Sequence, residues 1–188
     1  PNWPEIRQQF IQGEIPPEGY FETPFENISA EKSIQTKHIQ QHAIVRPGFV
    51  EFNNFCMENR INIIIVSRGL DYYIEAVLDK YEITNIPIYA VPTKFNGEKM
   101  KIISKYTDIN CNQWGICKCS VLEKYRKTSD VIIYIGDGQN DLCPARKSNI
   151  IFARDALLRH CKQENIAFYR FSDFTTIQTE VMKIIEEN

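Results

Sequence analysis

The chain has 188 residues, a formal net charge of -2, and 43% hydrophobic and 12% aromatic residues. This length suits one domain, or a core with a small appendage, and the hydrophobic content is sufficient for a packed core. The charge gives no electrostatic reason to expect nucleic acid or an anionic membrane as a partner. No apolar run approaches the roughly 20 residues that cross a bilayer, and the first residues do not follow a secretory signal pattern. We therefore expect a cytoplasmic protein with reduced thiols.

The first 46 residues predict a small helical zone without a convincing strand. Ile6 and Phe10 have helical spacing. The stretch from Gly13 to Pro24 is rich in turn-forming residues, so we expect turns there. Ser29 is expected to cap a second helix that runs from Ala30 toward Ala43.

From Pro47 onward the pattern becomes an alternation of helices and strands. Pro47 suits the first turn of a helix, and the apolar run from Ile61 to Val66 predicts a buried strand that ends at Ser67-Arg68-Gly69. The later expected elements are a helix at 70–81, a strand at 86–91, a hairpin turn at 93–97 in a long connection, a helix at 117–127, strands at 131–135, 149–152 and 167–171, and helices at 155–164 and after Ser172. This alternation predicts an α/β fold with a doubly wound parallel sheet.

The most informative stretch runs from Val131 to Asp141, where an apolar, β-branched run ends in Gly136-Asp137-Gly138. We expect the glycines to permit a sharp turn and to keep side chains away from the end of the strand. Ligands bind at the carboxyl edge of such sheets, and the carboxylates of Asp137 and Asp141 suit a hard cation such as Mg²⁺. The alternative is an ordinary turn in which Asp141 caps the next helix.

Two further positions have the chemistry of a phosphate site. The Ser67 hydroxyl and the backbone N–H groups beside it can hold a phosphate oxygen, or Ser67 can simply cap the following helix. Lys118 can neutralise a phosphoryl group, although most lysines are solvated surface residues. Three other lysines lie nearby as alternatives: Lys99, Lys101 and Lys105.

Three cysteines, Cys111, Cys117 and Cys119, lie close together in the sequence. A structural zinc site needs four ligands, usually in closely spaced pairs, and no C-x-x-C pair exists here. Reduced, packed thiols are the favoured interpretation.

The order of Ser67, Lys118 and the Gly136–Asp141 loop resembles the motifs of the haloacid dehalogenase (HAD) superfamily of Mg²⁺-dependent phosphatases, in its phosphoserine-phosphatase-like branch. In that superfamily the second motif ends a strand in Ser or Thr, the third supplies a lysine, and the fourth is a G-D-x-x-x-D loop. The resemblance extends over residues 47–171. It implies a HAD-like, Rossmann-like core at 47–188 and a partial helical cap at 1–46.

The resemblance also implies roles for individual residues. Asp137 and Asp141 are expected to bind Mg²⁺, and Lys118 and Asp141 are expected to be catalytic. Asp141 is expected either to bind metal-bound water or to orient Lys118. The residues expected to contact the substrate are Ser67, Arg68, Gly69, Lys118 and Asn140. The usual second motif of the branch reads Ser-Gly-Gly, so Arg68 is a departure from the pattern.

Within the branch, the chain resembles the methionine-salvage phosphatases. The resemblance rests on Asn2-Trp3-Pro4, Gly13-Glu14-Ile15, the segment 111–118 and Phe152-Ala153-Arg154-Asp155. It implies a small phosphorylated metabolite as substrate, namely 2-hydroxy-3-keto-5-methylthiopentenyl-1-phosphate, and leaves a homodimer open. Two other interpretations remain: a phosphoserine or phosphocholine phosphatase, and a catalytically inactive HAD-like module that binds a ligand.

The first motif of the superfamily, D-x-D-G-T, is absent, since no aspartate occurs before Asp71. In the family this motif carries the nucleophile and lies on the central strand, between the strands that end at Ser67 and Asp137. A sheet without that strand would leave backbone groups unpaired. We therefore expect that the chain, which begins with Pro1, is truncated at its N-terminus and is inactive alone.

Overall fold

The computed structural model describes residues 2–26, 28–103 and 115–187. The chain divides into two compact units. The first unit comprises residues 1–44 and 65–117, and the second comprises residues 45–64 and 118–188. The expected division into a cap at 1–46 and a core at 47–188 stays a prediction.

The first unit contains four helices and two small sheets among its described residues. Its elements are α1 (Trp3–Ile11), α2 (Pro17–Glu26), α3 (Lys32–His42), β1 (Ile65–Leu70), α5 (Asp71–Lys80), β2 (Ile88–Val91), β3 (Thr93–Asn96) and β4 (Lys99–Ile102). Strands β1 and β2 pair in parallel, and β3 and β4 form an antiparallel hairpin. Its turn is at Gly97 and Glu98, whereas residues 93–96, which were expected in the turn, form β3. A core cluster of this unit is centred on Leu70, Tyr72, Val91 and Ile102.

The expectation of turns from Gly13 to Pro24 holds for residues 13–15 and was wrong from Pro17 onward, where the chain forms α2. Pro17 is the first residue of α2, a position where the missing N–H of proline costs nothing. Ser29 does not cap α3, which begins after Glu31. Instead, the Ser29 hydroxyl donates a hydrogen bond of 2.8 Å to Glu98.

Strand β1 starts later and extends further than expected. Ser67, Arg68 and Gly69 lie inside β1, so they do not form the turn that was expected after it. The pairing with β2 is regular at Ile65 and Val66 and resumes at Leu70, with an irregularity between. A bulge of this kind lets a strand continue through residues that leave the regular ladder.

The second unit has the parallel α/β arrangement that the alternating pattern predicts. Its elements are α4 (Phe49–Glu58), α6 (Lys118–Arg126), β5 (Ile133–Gly136), α7 (Leu142–Ala145), β6 (Ile150–Ala153), α8 (Asp155–Gln163), β7 (Tyr169–Arg170) and α9 (Phe174–Glu186). Strands β5, β6 and β7 form a parallel sheet in that order. The α/β fold class is thus confirmed.

Apolar residues pack against both faces of this sheet, which explains the continuous apolar runs in its strands. One core cluster joins α4 and α9 to the sheet through Phe52, Phe152 and Ile177. Another is centred on Leu157 and Cys161 of α8.

Helix α9 is capped by Asp173, and the expectation that Ser172 is the cap was wrong. The Asp173 carboxylate accepts a hydrogen bond of 2.9 Å from the backbone N–H of Thr176. Within the described part of the chain, no helix is long and apolar enough to cross a membrane.

Candidate active site

The acidic loop begins where β5 ends, at the carboxyl edge of the parallel sheet. Gly136 is the last residue of β5 and pairs with Ala153 of β6. The Asp137 carbonyl accepts hydrogen bonds from the backbone N–H groups of Ala156 and Leu157, at 3.0 and 3.2 Å. The first turn of α8 therefore anchors the loop. A short 3₁₀ turn, Gln139–Asp141, then leads into α7.

Asp141 is the centre of this site, with 4% of its surface exposed. Its Oδ1 accepts hydrogen bonds from Lys118 Nζ at 2.6 Å and from the Tyr134 hydroxyl at 2.8 Å. Its Oδ2 accepts from the backbone N–H groups of Asp137 at 3.0 Å and Gly138 at 2.7 Å. The carboxylate thus fixes both the course of the loop and the position of the Lys118 ammonium.

The alternative in which Asp141 only caps the next helix is wrong. Its carboxylate makes no capping hydrogen bond to α7. The backbone N–H groups that it binds precede it in the chain, and they belong to the loop itself.

The surroundings of Asp141 favour its ionised form. Burial by itself raises the pKa of this carboxyl group. The positive charge and hydrogen bond of Lys118, together with the donors Gly138 N–H and Tyr134 hydroxyl, outweigh that effect and hold the pKa below its ordinary value. Burial, and then the charge of Asp141, raises the pKa of the Tyr134 hydroxyl, so this group stays a proton donor.

Tyr134 is a site residue that the sequence did not indicate. It lies in the middle of an apolar strand, where an aromatic residue is usually part of the core. Only its position two residues before Gly136 connects it with the loop.

Acidification should weaken the fold through Asp141. The folded-state pKa lies below the ordinary value of 3.8, so the unfolded chain binds a proton first as the pH falls. The stabilising contribution is complete above pH 3.8 and is lost as the pH falls through the folded-state pKa. Urea unfolding from about pH 6 to about pH 2 should show a smaller acid-dependent loss in Asp141→Asn than in the wild type.

The matched control is Asp130→Asn, because Asp130 is an exposed aspartate that precedes the same strand. This variant should keep the wild-type pH dependence. An unchanged acid-dependent loss in Asp141→Asn would show that folding does not lower the pKa of Asp141.

The two glycines of the loop are needed for space. Gly138 has a φ of -90°, and Gly136 is not among the glycines with positive φ. A Cβ atom on Gly136 would lie 2.9 Å from Asp141 Cγ and 2.9 Å from Tyr134 Cε1, and one on Gly138 would lie 3.2 Å from Asp141 Oδ2. The room that these glycines leave is occupied by the Asp141 carboxylate, so they do not keep all side chains away from the end of the strand as expected.

Asp137 and Asn140 differ from Asp141 in that both side chains are exposed. Among the described residues, the Asp137 carboxylate takes part in no hydrogen bond or ion pair. A free carboxylate at the end of a parallel strand is an oxygen ligand of the kind that hard cations use. The Asp137 carboxylate is therefore available to a ligand.

The segment of β1 with Ser67 lies in the first unit and has its own local structure. The Ser67 hydroxyl accepts a hydrogen bond of 3.0 Å from the backbone N–H of Gly69. The Tyr73 hydroxyl is also hydrogen-bonded with Ser67, and it occupies the space that a Cβ on Gly69 would need. Helix α5 begins after Leu70 without a side-chain cap, so Ser67 does not cap it. Arg68, which lies between Ser67 and Gly69, is half-buried.

The expected cysteine cluster is only partly described, because Cys111 lies outside the described residues. Cys117 is buried, and Cys119 lies beside Cys143, which the sequence did not associate with it. Within the described ranges, no group of three His, Cys, Asp or Glu side chains could hold a metal ion.

Solved structures share the fold of this chain. A probable phosphoserine phosphatase from Vibrio cholerae superposes on 99% of this chain and 58% of its own, with a TM-score of 0.74 and 15% identity. A HAD family hydrolase from Salmonella enterica superposes on 90% of this chain and 56% of its own, with a TM-score of 0.65 and 17% identity. The chain has the fold of the haloacid dehalogenase superfamily.

The family follows from the sequence match. The model of the family described as Putative Phosphatase matches residues 20–165. The chain belongs to this family.

Curated relatives carry a more specific name, 2-hydroxy-3-keto-5-methylthiopentenyl-1-phosphate phosphatase. The one from Exiguobacterium sibiricum is 36% identical over 141 residues, and the match covers 74% of this chain and 64% of the relative. The one from Bacillus cereus is 34% identical over 146 residues, and the match covers 77% of this chain and 66% of the relative. The chain thus spans less than two thirds of the length of these relatives. One from Brevibacillus brevis aligns with the whole chain at 27% identity and is covered over 84% of its length.

Proposed function

We propose that the protein containing this chain is a Mg²⁺-dependent phosphomonoesterase whose substrate is 2-hydroxy-3-keto-5-methylthiopentenyl-1-phosphate. The observation that carries the proposal is the buried Asp141, which holds the Lys118 ammonium at 2.6 Å and also binds the backbone N–H of Asp137, the residue with the exposed carboxylate. The names of the curated relatives support this choice of substrate.

Lys118 serves to stabilise negative charge on the phosphoryl group. Its side chain is only 17% exposed and its ammonium is held by Asp141. Such a positioned cation stabilises the transition state without reorganisation during the reaction. An ammonium group has three protons, so Lys118 can donate to Asp141 and also to phosphate oxygens and the nucleophile.

Asp137 is the protein ligand that would hold Mg²⁺. Its exposed carboxylate fits a hard cation, whereas both oxygens of Asp141 already accept two hydrogen bonds each. When bound, the ion would supply positive charge that shields the phosphate from the approaching nucleophile. Asp141 contributes by holding the loop and Lys118, and its negative charge would help to hold the cation.

The nucleophile is an aspartate that is not among these 188 residues. Its carboxylate oxygen attacks phosphorus, the P–O ester bond breaks, and the alcohol leaves after taking up a proton. Water then hydrolyses the aspartyl-phosphate and releases inorganic phosphate. Because this step needs the missing aspartate, the 188-residue chain alone is inactive.

The remaining residues bind the substrate. Ser67 and the backbone N–H groups near Arg68 and Gly69 contact phosphate oxygens, and the Arg68 guanidinium adds positive charge. Asn140, exposed in the 3₁₀ turn, contacts the substrate from the acidic loop. The helical region at 1–46 serves as a cap that excludes water during the reaction. We place the reaction in the cytoplasm and leave a homodimer open.

A substrate panel tests the proposal. The protein encoded by the longest reading frame that contains this chain should hydrolyse 2-hydroxy-3-keto-5-methylthiopentenyl-1-phosphate with a kcat/KM at least about tenfold above those for phosphoserine and phosphocholine. A preference for either of the other two esters would assign a different phosphatase of the same branch. Binding of all three esters without phosphate release would instead indicate a catalytically inactive module.

A further inference from the structure

Two cysteine thiols meet beside the proposed catalytic pair. Cys119 Sγ and Cys143 Sγ are 2.7 Å apart. Cys119 follows Lys118 in the first turn of α6, and Cys143 lies in α7, two residues after Asp141. Cys143 is exposed and Cys119 is partly exposed, so small oxidants can reach the pair from solvent.

The separation of the two sulfur atoms is close to that of a covalent bond. A disulfide is about 2.0 Å long, so a movement of about 0.7 Å brings the two atoms to bonding distance. The cysteines lie on two different helices, and each is one turn or less from a residue of the acidic site.

We propose that Cys119 and Cys143 form a reversible intramolecular disulfide when the protein encounters a hydroperoxide. The sulfur of the exposed Cys143 attacks a peroxide oxygen, the O–O bond breaks, and a sulfenic acid and one water are formed. The Cys119 sulfur then attacks the sulfenic sulfur, and the second water leaves. Two thiols and one hydrogen peroxide thus give one disulfide and two waters, and a dithiol reductant reverses the change.

The disulfide joins the start of α6 to α7 and closes a loop of about 25 residues, which constrains the unfolded chain. Because Lys118 and Asp141 flank the two cysteines, the bond also restricts the separation of this ion pair. We expect the oxidised protein to melt about 5 °C above the reduced protein. The proposal does not depend on the enzymatic activity, so its outcome is independent of the proposed function.

Tryptic peptide mapping after treatment with hydrogen peroxide tests the proposal. Cleavage after lysine and arginine places the two cysteines in separate peptides, 119–124 and 128–146, each with one cysteine, and it places Cys117 in a third. The expected product is a linked pair of the first two peptides, lighter by two hydrogen atoms than their sum and separated by dithiothreitol. Sulfinic acid on either cysteine without linked peptides, or a link between two protein molecules, would overturn the proposal.

Two variants test whether the proximity of Cys119 and Cys143 in the fold is responsible for disulfide formation. Cys143→Ser removes an exposed thiol and should abolish both the link and the rise in melting temperature. The double substitution Cys119→Ser with Ser120→Cys keeps the number of thiols but moves one of them by one position around α6. This variant should form no link, and a link as efficient as that of the wild type would show that proximity in the fold does not decide the reaction.

Discussion

Replacement of Asp141 by alanine is expected to destabilise the fold by about 3 kcal/mol. The substitution removes the acceptor of four hydrogen bonds at once. It leaves the largely buried Lys118 ammonium without its ion-pair partner, and the Tyr134 hydroxyl and two backbone N–H groups without an acceptor. Urea unfolding of wild type and variant at neutral pH measures the difference.

Two further variants make this prediction specific. Asp141→Asn keeps the shape, but one side of its amide is a donor and faces two other donors, so it should be nearly as unstable as the alanine variant. Asp130→Ala, which removes an exposed carboxylate, should change the unfolding free energy by less than about 0.5 kcal/mol. If Asp141→Ala were as stable as Asp130→Ala, the four-bond arrangement would not exist in the protein.

Replacement of Asp137 by asparagine should differ from replacement of Asp141. We expect it to have a large effect on activity and little effect on stability. We expect phosphate release by the longer protein to fall at least about a hundredfold, since the site loses a charged ligand and the electrostatic stabilisation that depends on it. The unfolding free energy should change by less than about 0.5 kcal/mol, because the Asp137 side chain is exposed. The backbone groups of Asp137 still bind Asp141 and α8 in the variant.

Steady-state hydrolysis of p-nitrophenyl phosphate in Mg²⁺, together with urea unfolding, measures both quantities. Asp130→Asn is the control, because it removes a negative charge near the same strand and should retain full activity. Full metal-dependent turnover by Asp137→Asn would exclude Asp137 as the metal ligand.

The acidic loop could be predicted from the sequence because its determinants are local. Gly136, Asp137 and Asp141 lie within six residues, directly after an apolar strand, and their spacing alone places the carboxylates at the edge of the sheet. The partnership of Asp141 with Lys118 followed from the family resemblance. Both residues occupy the expected elements, although the Mg²⁺ and substrate roles stay predictions.

Other features depend on contacts between distant parts of the chain and could not be predicted from the sequence. The sequence around Tyr134 predicts a core residue, and only the structure shows that its hydroxyl donates a hydrogen bond to Asp141. Cys143 has no motif around it, and only the packing of α6 against α7 brings it to Cys119. The course of β1 through Ser67-Arg68-Gly69 depends on an irregular pairing with β2, which a turn-forming glycine does not indicate.

Helix α2 was not predicted from the sequence for a different reason. Proline and glycine usually mark turns, but a proline at the first position of a helix is favourable. The same residues between Gly13 and Pro24 are therefore compatible with either structure. Local propensity could not decide between them.

The measurement that most directly tests the central claim is the release of inorganic phosphate from 2-hydroxy-3-keto-5-methylthiopentenyl-1-phosphate by the protein from the longest reading frame, with Mg²⁺ and with a chelator. We predict saturable release that stops on chelation, resumes when Mg²⁺ is returned, and is lost in Asp137→Asn. Release that is unaffected by both chelation and Asp137→Asn would contradict the assignment of this loop as the active site.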